Sequence, residues 1–261
     1  MPPRHKSPAP PLAAAQSALV WERTEPARRP APGPLSRERI VRAAVAIADK
    51  EGLAEVSLRK VAAKLNVGPM RLYTYTATKE GLLELMVDSI YGEIAGKEPA
   101  RGDFRKTLRS IAERTRQAAS KHPWFVDLLG RRPHLGPNAL DHWEASLAAL
   151  CASPGFESID DALQAYGTVN AYVVGAIKGE AASLQAERKS GLTESDWQAA
   201  SWPYLERVLA TGRFPMIAKV VREATHPSSE LTFERGLECV IEGIALRLGA
   251  RRSETGKRLK R

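Results

Sequence analysis

The chain has 261 residues, 43% of them hydrophobic, so it is long enough to bury a sizeable core in one or two domains. It contains no run of about 18 apolar residues able to span a bilayer, and its N-terminus lacks the layout of a secretory signal, which predicts a cytoplasmic protein with no membrane partner. The formal charge of +9 is concentrated at the ends, with +3 in residues 1–35 and +5 in residues 249–261, so most of the basicity belongs to the tails.

Residues 1–34 are rich in Pro, Ala and Arg, with segments such as PAPP and RRPAPGP that cannot hold a helix or a ladder; they are expected to be a disordered tail. Order should begin at Leu35-Ser36. Ser36 is a credible N-cap for a first helix in which Ile40, Val41, Ala44, Ile47 and Ala48 recur at helical spacing, ending at Gly52. A second short helix follows Ser57, with Leu58, Val61, Ala62 and Leu65 on one side. A third should begin at Gly68-Pro69, where a proline suits the first helical turn. A fourth runs from Thr78 through KEGLLELMVDSIYGEI, and residues 96–102 read as a linker.

Helical patterns continue over about 103–121, 123–129, 137–152, 158–190, 194–210, 214–224 and 229–250, with a basic flexible tail expected over 251–261. Period-two strand signals are missing, which predicts an all-α fold. Cys151 and Cys239 stand in apolar helical patterns without a second Cys or His at ligand spacing, and His122, His134 and His142 do not form a metal-ligand pattern either. No metal and no cofactor are expected. The chain also lacks a nucleophile elbow, a Gly-rich phosphate loop and a Ser/His/Asp order, so an enzyme is not expected.

Between Ser57 and Lys79 the only charged residues are basic: Arg59, Lys60, Lys64, Arg71 and Lys79. That local sign suits phosphates. Two short helices pack tightly only where the crossing residue is small and the turn can be left-handed. Ala62 and Asn66 supply these features, leaving Pro69, Met70, Arg71, Thr74 and Tyr75 to face outward.

The stretch from Leu35 to Glu93, including ADKEG, SLRKVAAKLNV and LYTYTATKEGLL, resembles the DNA-binding domain of the tetracycline-repressor family almost end to end. It departs in carrying Asn66 where glycine is usual and Thr76-Ala77-Thr78 at the junction before the lysine. The resemblance implies a three-helix helix-turn-helix domain, with its linking fourth helix, over 35–95 and a larger helical effector-binding and dimerisation domain over 102–250. It also implies that the third helix enters the major groove of double-stranded operator DNA. Pro69 belongs to this outward face. Met70 and Arg71 are candidates for base contact, since arginine can pair with guanine O6 and N7 and methionine can touch a thymine methyl. Ser57, Arg59, Tyr73, Tyr75 and Lys79 are read as phosphate clamps, with Tyr73 as part of the core and Arg59 as a partner of Glu55 standing as the alternatives.

Further along, Leu163, Gly167, Ala171, Gly175 and Gly179 recur at steps of four, a bare face that invites close helix contact. Phe233, Leu237, Val240, Ile241, Ile244 and Leu248 form the apolar stripe of the last helix, and TFERGLECVIEGIALRL resembles the last helix of the tetracycline-repressor type of C-terminal domain. The resemblance implies a homodimer through these two helices; the alternative is that both stripes are intramolecular core. Phe104, Trp124, Trp143, Tyr166 and Asn170 fit a small-molecule effector pocket and fit an ordinary helical core equally well. The reading is therefore a bacterial homodimeric repressor, nucleoid-associated when DNA-bound and released from a pseudo-palindromic operator by an effector. An effector-independent DNA-binding protein, or an activator of the same fold, is the alternative.

Overall fold

The computed structural model describes residues 20–22, 35–95, 102–130 and 133–258. All regular structure among them is helical: α1 (Arg37–Glu51), α2 (Leu58–Lys64), α3 (Lys79–Ile94), α4 (Phe104–Lys121), α5 (Pro137–Cys151), α6 (Ile159–Ser190), α7 (Glu194–Ala210), α8 (Pro215–Glu223) and α9 (Ser229–Arg258), with short 3-10 turns between some of them. The described residues divide into two compact units. One comprises residues up to 95 together with 133–143, and the other comprises 102–130 together with 144–258.

In the first unit, local signals set the helix starts. Ser36 accepts a hydrogen bond from Arg39 N–H, Ser57 from Lys60 N–H and Thr78 from Gly81 N–H, each satisfying a donor that the first turn leaves without a partner. The apolar faces then close on one another: Ile40, Ala44 and Ile47 of α1, Val61 and Ala62 of α2, and Leu82, Met86 and Ile90 of α3 are all buried. Within the segment expected to lack structure, Val20–Glu22 form a 3-10 turn, and Val20 is buried against α3. The remainder of the 1–34 tail lies outside the described residues.

In the second unit, Asp103 caps α4 by accepting from Arg105 and Lys106 N–H groups, and these bonds with the Lys106 ammonium hold its carboxyl below the usual range. The apolar side of α4, with Leu108, Ile111 and Ala112, faces inward. Its basic side carries a ladder of ion pairs. Arg105 meets Glu242, Arg109 meets Glu238 and, at 3.1 Å, Glu234, and Arg116 meets Glu180 of α6 at 2.8 Å. Numbers rise along α4 as they fall along α9, so the two helices run antiparallel. The α9 pairs are largely exposed and contribute little stability each; their effect is to set the register. Arg116 also lies over the Phe233 ring at 4.4 Å.

The crossing of α6 and α9 depends on Gly236. Tyr172 lays its ring there and donates its hydroxyl to the carbonyl of Phe233 at 2.7 Å, while a methyl group on residue 236 would lie 2.3 Å from that hydroxyl oxygen. Beyond Ile177 the character changes: no side chain from Lys178 to Thr232 is buried. The α7–α8 hairpin exposes Trp197, Trp202, Tyr204, Met216 and Ile217. Helix α9 runs to Arg258, past the boundary expected near 250; residues 259–261 lie outside the described residues.

Candidate functional site

The turn between α2 and the following segment is built as the sequence suggests. Asn66 has φ of +54°, and Val67 N–H donates to the carbonyl of Ala62 at 3.0 Å, closing the helix end. Ala62 is fully buried at the crossing. The expected third helix is shorter than predicted: Pro69–Arg71 form a 3-10 turn, followed by a turn in which Tyr75 and Thr76 N–H both reach the carbonyl of Leu72. The run Tyr73-Thr74-Tyr75-Thr76 explains this, since aromatic and β-branched residues lose rotamer freedom in a helix, and Thr74 donates its hydroxyl to the Arg71 carbonyl instead.

This segment projects its side chains into solvent. Met70 is 76% exposed, and Pro69, Arg71, Tyr73 and Thr74 are exposed beside it. Leu72 is fully buried and fixes the segment to the core. Lys79 is exposed in the first turn of α3, and Arg59 is exposed on α2. Ser57 is half-buried and uses its hydroxyl oxygen as the α2 cap. Tyr73 is thus on the outside rather than in the core.

One expectation is corrected. Tyr75 does not face outward: it is buried, and its hydroxyl donates to the carbonyl of Leu35 at 2.8 Å. A phenol satisfied on a buried carbonyl is better placed there than in water, so Tyr75 ties the end of the outward segment to the start of α1. The basic stretch is also less uniformly free than its composition suggests. Lys60 bridges Glu51 at 2.6 Å and Glu55 at 2.7 Å. Its hydrogen bond holds the Glu51 carboxyl below the usual range, and its own ammonium is pushed up by both acids. Glu55 is engaged by Lys60, leaving Arg59 outward.

The residues read as lining an effector pocket are divided between the two compact units. Phe104 is half-buried against the ring of Phe156 at 5.5 Å, Trp124 is buried beside His122 and Phe125, and Tyr166 and Asn170 are half-buried on α6. Trp143 falls in the other compact unit, half-buried, with its indole N–H buried and without a hydrogen-bond acceptor. A groove of about 300 Å³ lies elsewhere, between α6 and α9, lined by Gln164, Thr168, Cys239, Gly243, Ile244 and Arg247 among others. No group of His, Cys, Asp or Glu among the described residues is arranged to hold a metal ion.

Of the predicted dimer residues, the α6 row stands out to solvent: Leu163, Gly167, Ala171, Gly175 and Gly179 are all exposed, and the three glycines face open space. The α9 stripe is corrected. Phe233, Leu237 and Ile241 are buried within their own unit, and Leu248 is buried at 9% exposure, so these four pack intramolecularly. Val240 and Ile244 are half-buried. The outward face of α9 is instead Cys239, Gly243, Leu246 and Arg247, whose only sequence signal is that they fall between the larger apolar residues of the stripe.

Comparison with known proteins decides the family. Residues 96–248 match the family described as tetracyclin repressor-like, C-terminal domain. The chain is 36% identical over 243 residues to the HTH-type transcriptional repressor DrrR1 of Streptomyces coeruleorubidus, covering 91% of this chain and 87% of that protein.

The chain belongs to the tetracycline-repressor family.

The tetracycline repressor class A from transposon 1721 of Escherichia coli is another relative, 26% identical over 84% of this chain and 94% of that protein. Among solved structures, ActR of Streptomyces coelicolor without ligand superposes with a TM-score of 0.69 at 26% identity, covering 85% of this chain and all of that one. The same protein in complex with actinorhodin also superposes with a TM-score of 0.69, over 82% of this chain and 96% of that one. The turn at Asn66 determines where the exposed segment after it points. Replacing Asn66 by Ala should destabilise the protein by about 1–2 kcal/mol, the cost of a left-handed conformation in a residue with no polar side chain to support it, whereas Asn66→Gly should not destabilise it; denaturant titration of the two variants measures the difference.

Proposed function

We propose that this family member is a homodimeric transcriptional repressor that binds a pseudo-palindromic operator and is released by a small-molecule effector. The observation that carries the DNA-binding part is the exposed run Pro69, Met70, Arg71, Tyr73 and Thr74, held by buried Leu72 and Tyr75 and flanked by Arg59 and Lys79. A rigid anchor beneath an exposed arginine is the arrangement that direct base reading needs. Arg71 and Met70 read base edges, and Arg59, Tyr73, Lys79 and the Ser57 hydroxyl hold phosphates.

A duplex selected from random-sequence DNA by the purified protein provides the test. Arg71→Ala should cost about 1–3 kcal/mol on the selected duplex and relax its base preference, while Lys79→Ala should weaken selected and random DNA alike and lower the salt dependence. Equal losses on both DNAs for Arg71→Ala would remove the base-reading role.

Dimerisation is read from the face of α6 that carries Leu163, Gly167, Ala171, Gly175 and Gly179, together with the outward side of α9. Open space over three glycines permits close approach of another helix. Trp197, Trp202 and Tyr204 of α7 and Met216 and Ile217 of α8 are large apolar side chains left exposed in the single chain, which supports a further contact surface. Gly175→Leu should fill the contact and give a monomer or an aggregate; analytical ultracentrifugation showing an unaltered dimer would exclude this face.

The effector reading rests on the likeness to ActR, whose structures with actinorhodin and with (S)-DNPA show ligands bound to a similar fold. Phe104, Trp124, Tyr166 and Asn170, which share a unit, are the candidate contacts. Compounds found by thermal shift, with actinorhodin as the first probe, should weaken binding to the selected duplex by roughly 5–150-fold, and the duplex should weaken their binding by the same factor. Titration with and without DNA reads both quantities, and equal compound affinity in the two titrations would show that the compound is no inducer.

A further inference from the structure

Helix α5 begins without a cap of its own. The residue before it is Gly136, which has no side chain, and its first residue is Pro137, which has no N–H. The next two N–H groups, of Asn138 and Ala139, are the ones an N-cap side chain normally serves. Here both are served from fifty residues away, by Asp88 in α3. Asp88 Oδ1 accepts from Ala139 N–H at 2.9 Å, and Oδ2 accepts from the Asn138 side-chain amide at 2.9 Å and from its N–H at 3.4 Å.

The fit is close on every side. Asp88 is 4% exposed, and a methyl group on Gly136 would lie 2.2 Å from its Oδ1. One turn further along α3, the Asn138 side chain sits over Gly92, where a methyl group would meet it at 3.3 Å. Tyr91 packs between these positions, its ring 5.9 Å from that of His134 and 5.8 Å from that of His142. Burial pushes the Asp88 carboxyl up, against the opposing pull of the Ala139 and Asn138 hydrogen bonds and the charge of His134.

A cap supplied by its own helix stabilises that helix alone. One supplied by another helix joins the two. Helix α3 begins at Lys79, beside the segment read as DNA-binding, and Asp88 lies nine residues along it, roughly 13 Å of helix rise. Helix α5 is continuous, yet its first residues, up to Trp143, belong to the same compact unit as α3, and those from Glu144 belong to the other.

We propose that Asp88 is a positioning residue that couples these helices: its buried carboxylate fastens the start of α5 to α3, so that a displacement of one is passed to the other. This rests on the DNA-binding reading and adds to it the residue through which α3 and α5 move together. Without Asp88, the buried Ala139 N–H and the half-buried Asn138 N–H lose their acceptor and the start of α5 is released, while Leu72, Tyr75 and Asn66, which shape the DNA-facing segment, keep their contacts.

The test is hydrogen exchange on the full-length protein with and without the duplex selected by the wild-type chain. In the wild type, DNA should slow exchange of the amides at 140–143 by about fivefold or more. Asp88→Asn, which turns an amide toward donors that need an acceptor, should bind the duplex within about threefold of wild type yet lose that slowing. The exchanged pair, Asp88→Asn with Asn138→Asp, restores a donor facing a carboxylate and should recover it, a rescue that a merely destabilised protein would not show. If Asp88→Asn does not fold, Asn138→Ala, which removes only the side-chain donor, carries the same comparison. Slowing in Asp88→Asn equal to wild type overturns the coupling alone, as does a parallel loss of DNA affinity and thermal stability. Failure of the wild-type chain to select any duplex overturns the DNA-binding reading as well.

Discussion

With φ at +54°, Asn66 turns the chain so that Val67 N–H can reach back to the Ala62 carbonyl, and the placement of everything from Pro69 to Lys79 follows from that bond. Ala62 must be small for the next segment to approach, and Leu72 must be buried for it to stay. Tyr75 then closes the arrangement on the carbonyl of Leu35. The exposed side chains of Met70, Arg71 and Tyr73 contribute nothing to this frame, so they are free to serve a partner, and the frame holds them in place without needing one.

Charge is distributed by the same logic. The basic stretch from Ser57 to Lys79 does not act as one patch, because Lys60 spends its charge on Glu51 and Glu55. On the other unit, Arg105, Arg109 and Arg116 face acids on α9 and α6, so those guanidinium groups set helix register. The cations left facing water in the first unit include Arg59, Arg71 and Lys79, which border the outward segment. Position thus separates structural arginines from available ones more sharply than composition does.

The helices, their caps and the turn at Asn66 were legible because each is written in a few neighbouring residues: Ser36, Ser57 and Thr78 precede apolar periodicity, and Ala62 and Asn66 stand four apart. Partner choice was not. A stripe such as Phe233, Leu237 and Ile241 announces that one face of α9 will be covered, but periodicity carries no information about whether its own chain or another covers it, and here its own chain does. Tyr75 is ambiguous for a related reason, since a tyrosine satisfies an inside and an outside position equally in sequence. The shortened segment after Pro69 reflects a competition between a helix-starting proline and a run of residues poor at continuing one. Asp88 carries a faint local signal, an acid within LMVDSI flanked by residues that must be buried. Its partners lie fifty positions away, beyond the reach of any local pattern.

That separation also constrains how such a protein can change over generations. Position 136 cannot acquire a side chain while an aspartate occupies 88, because the space is already taken. Position 88 cannot lose its carboxylate without stranding the donors of 138 and 139. The side chains of Met70 and Arg71, which face solvent, take no part in these bonds, so those positions can change without disturbing the fit of 88, 136 and 138.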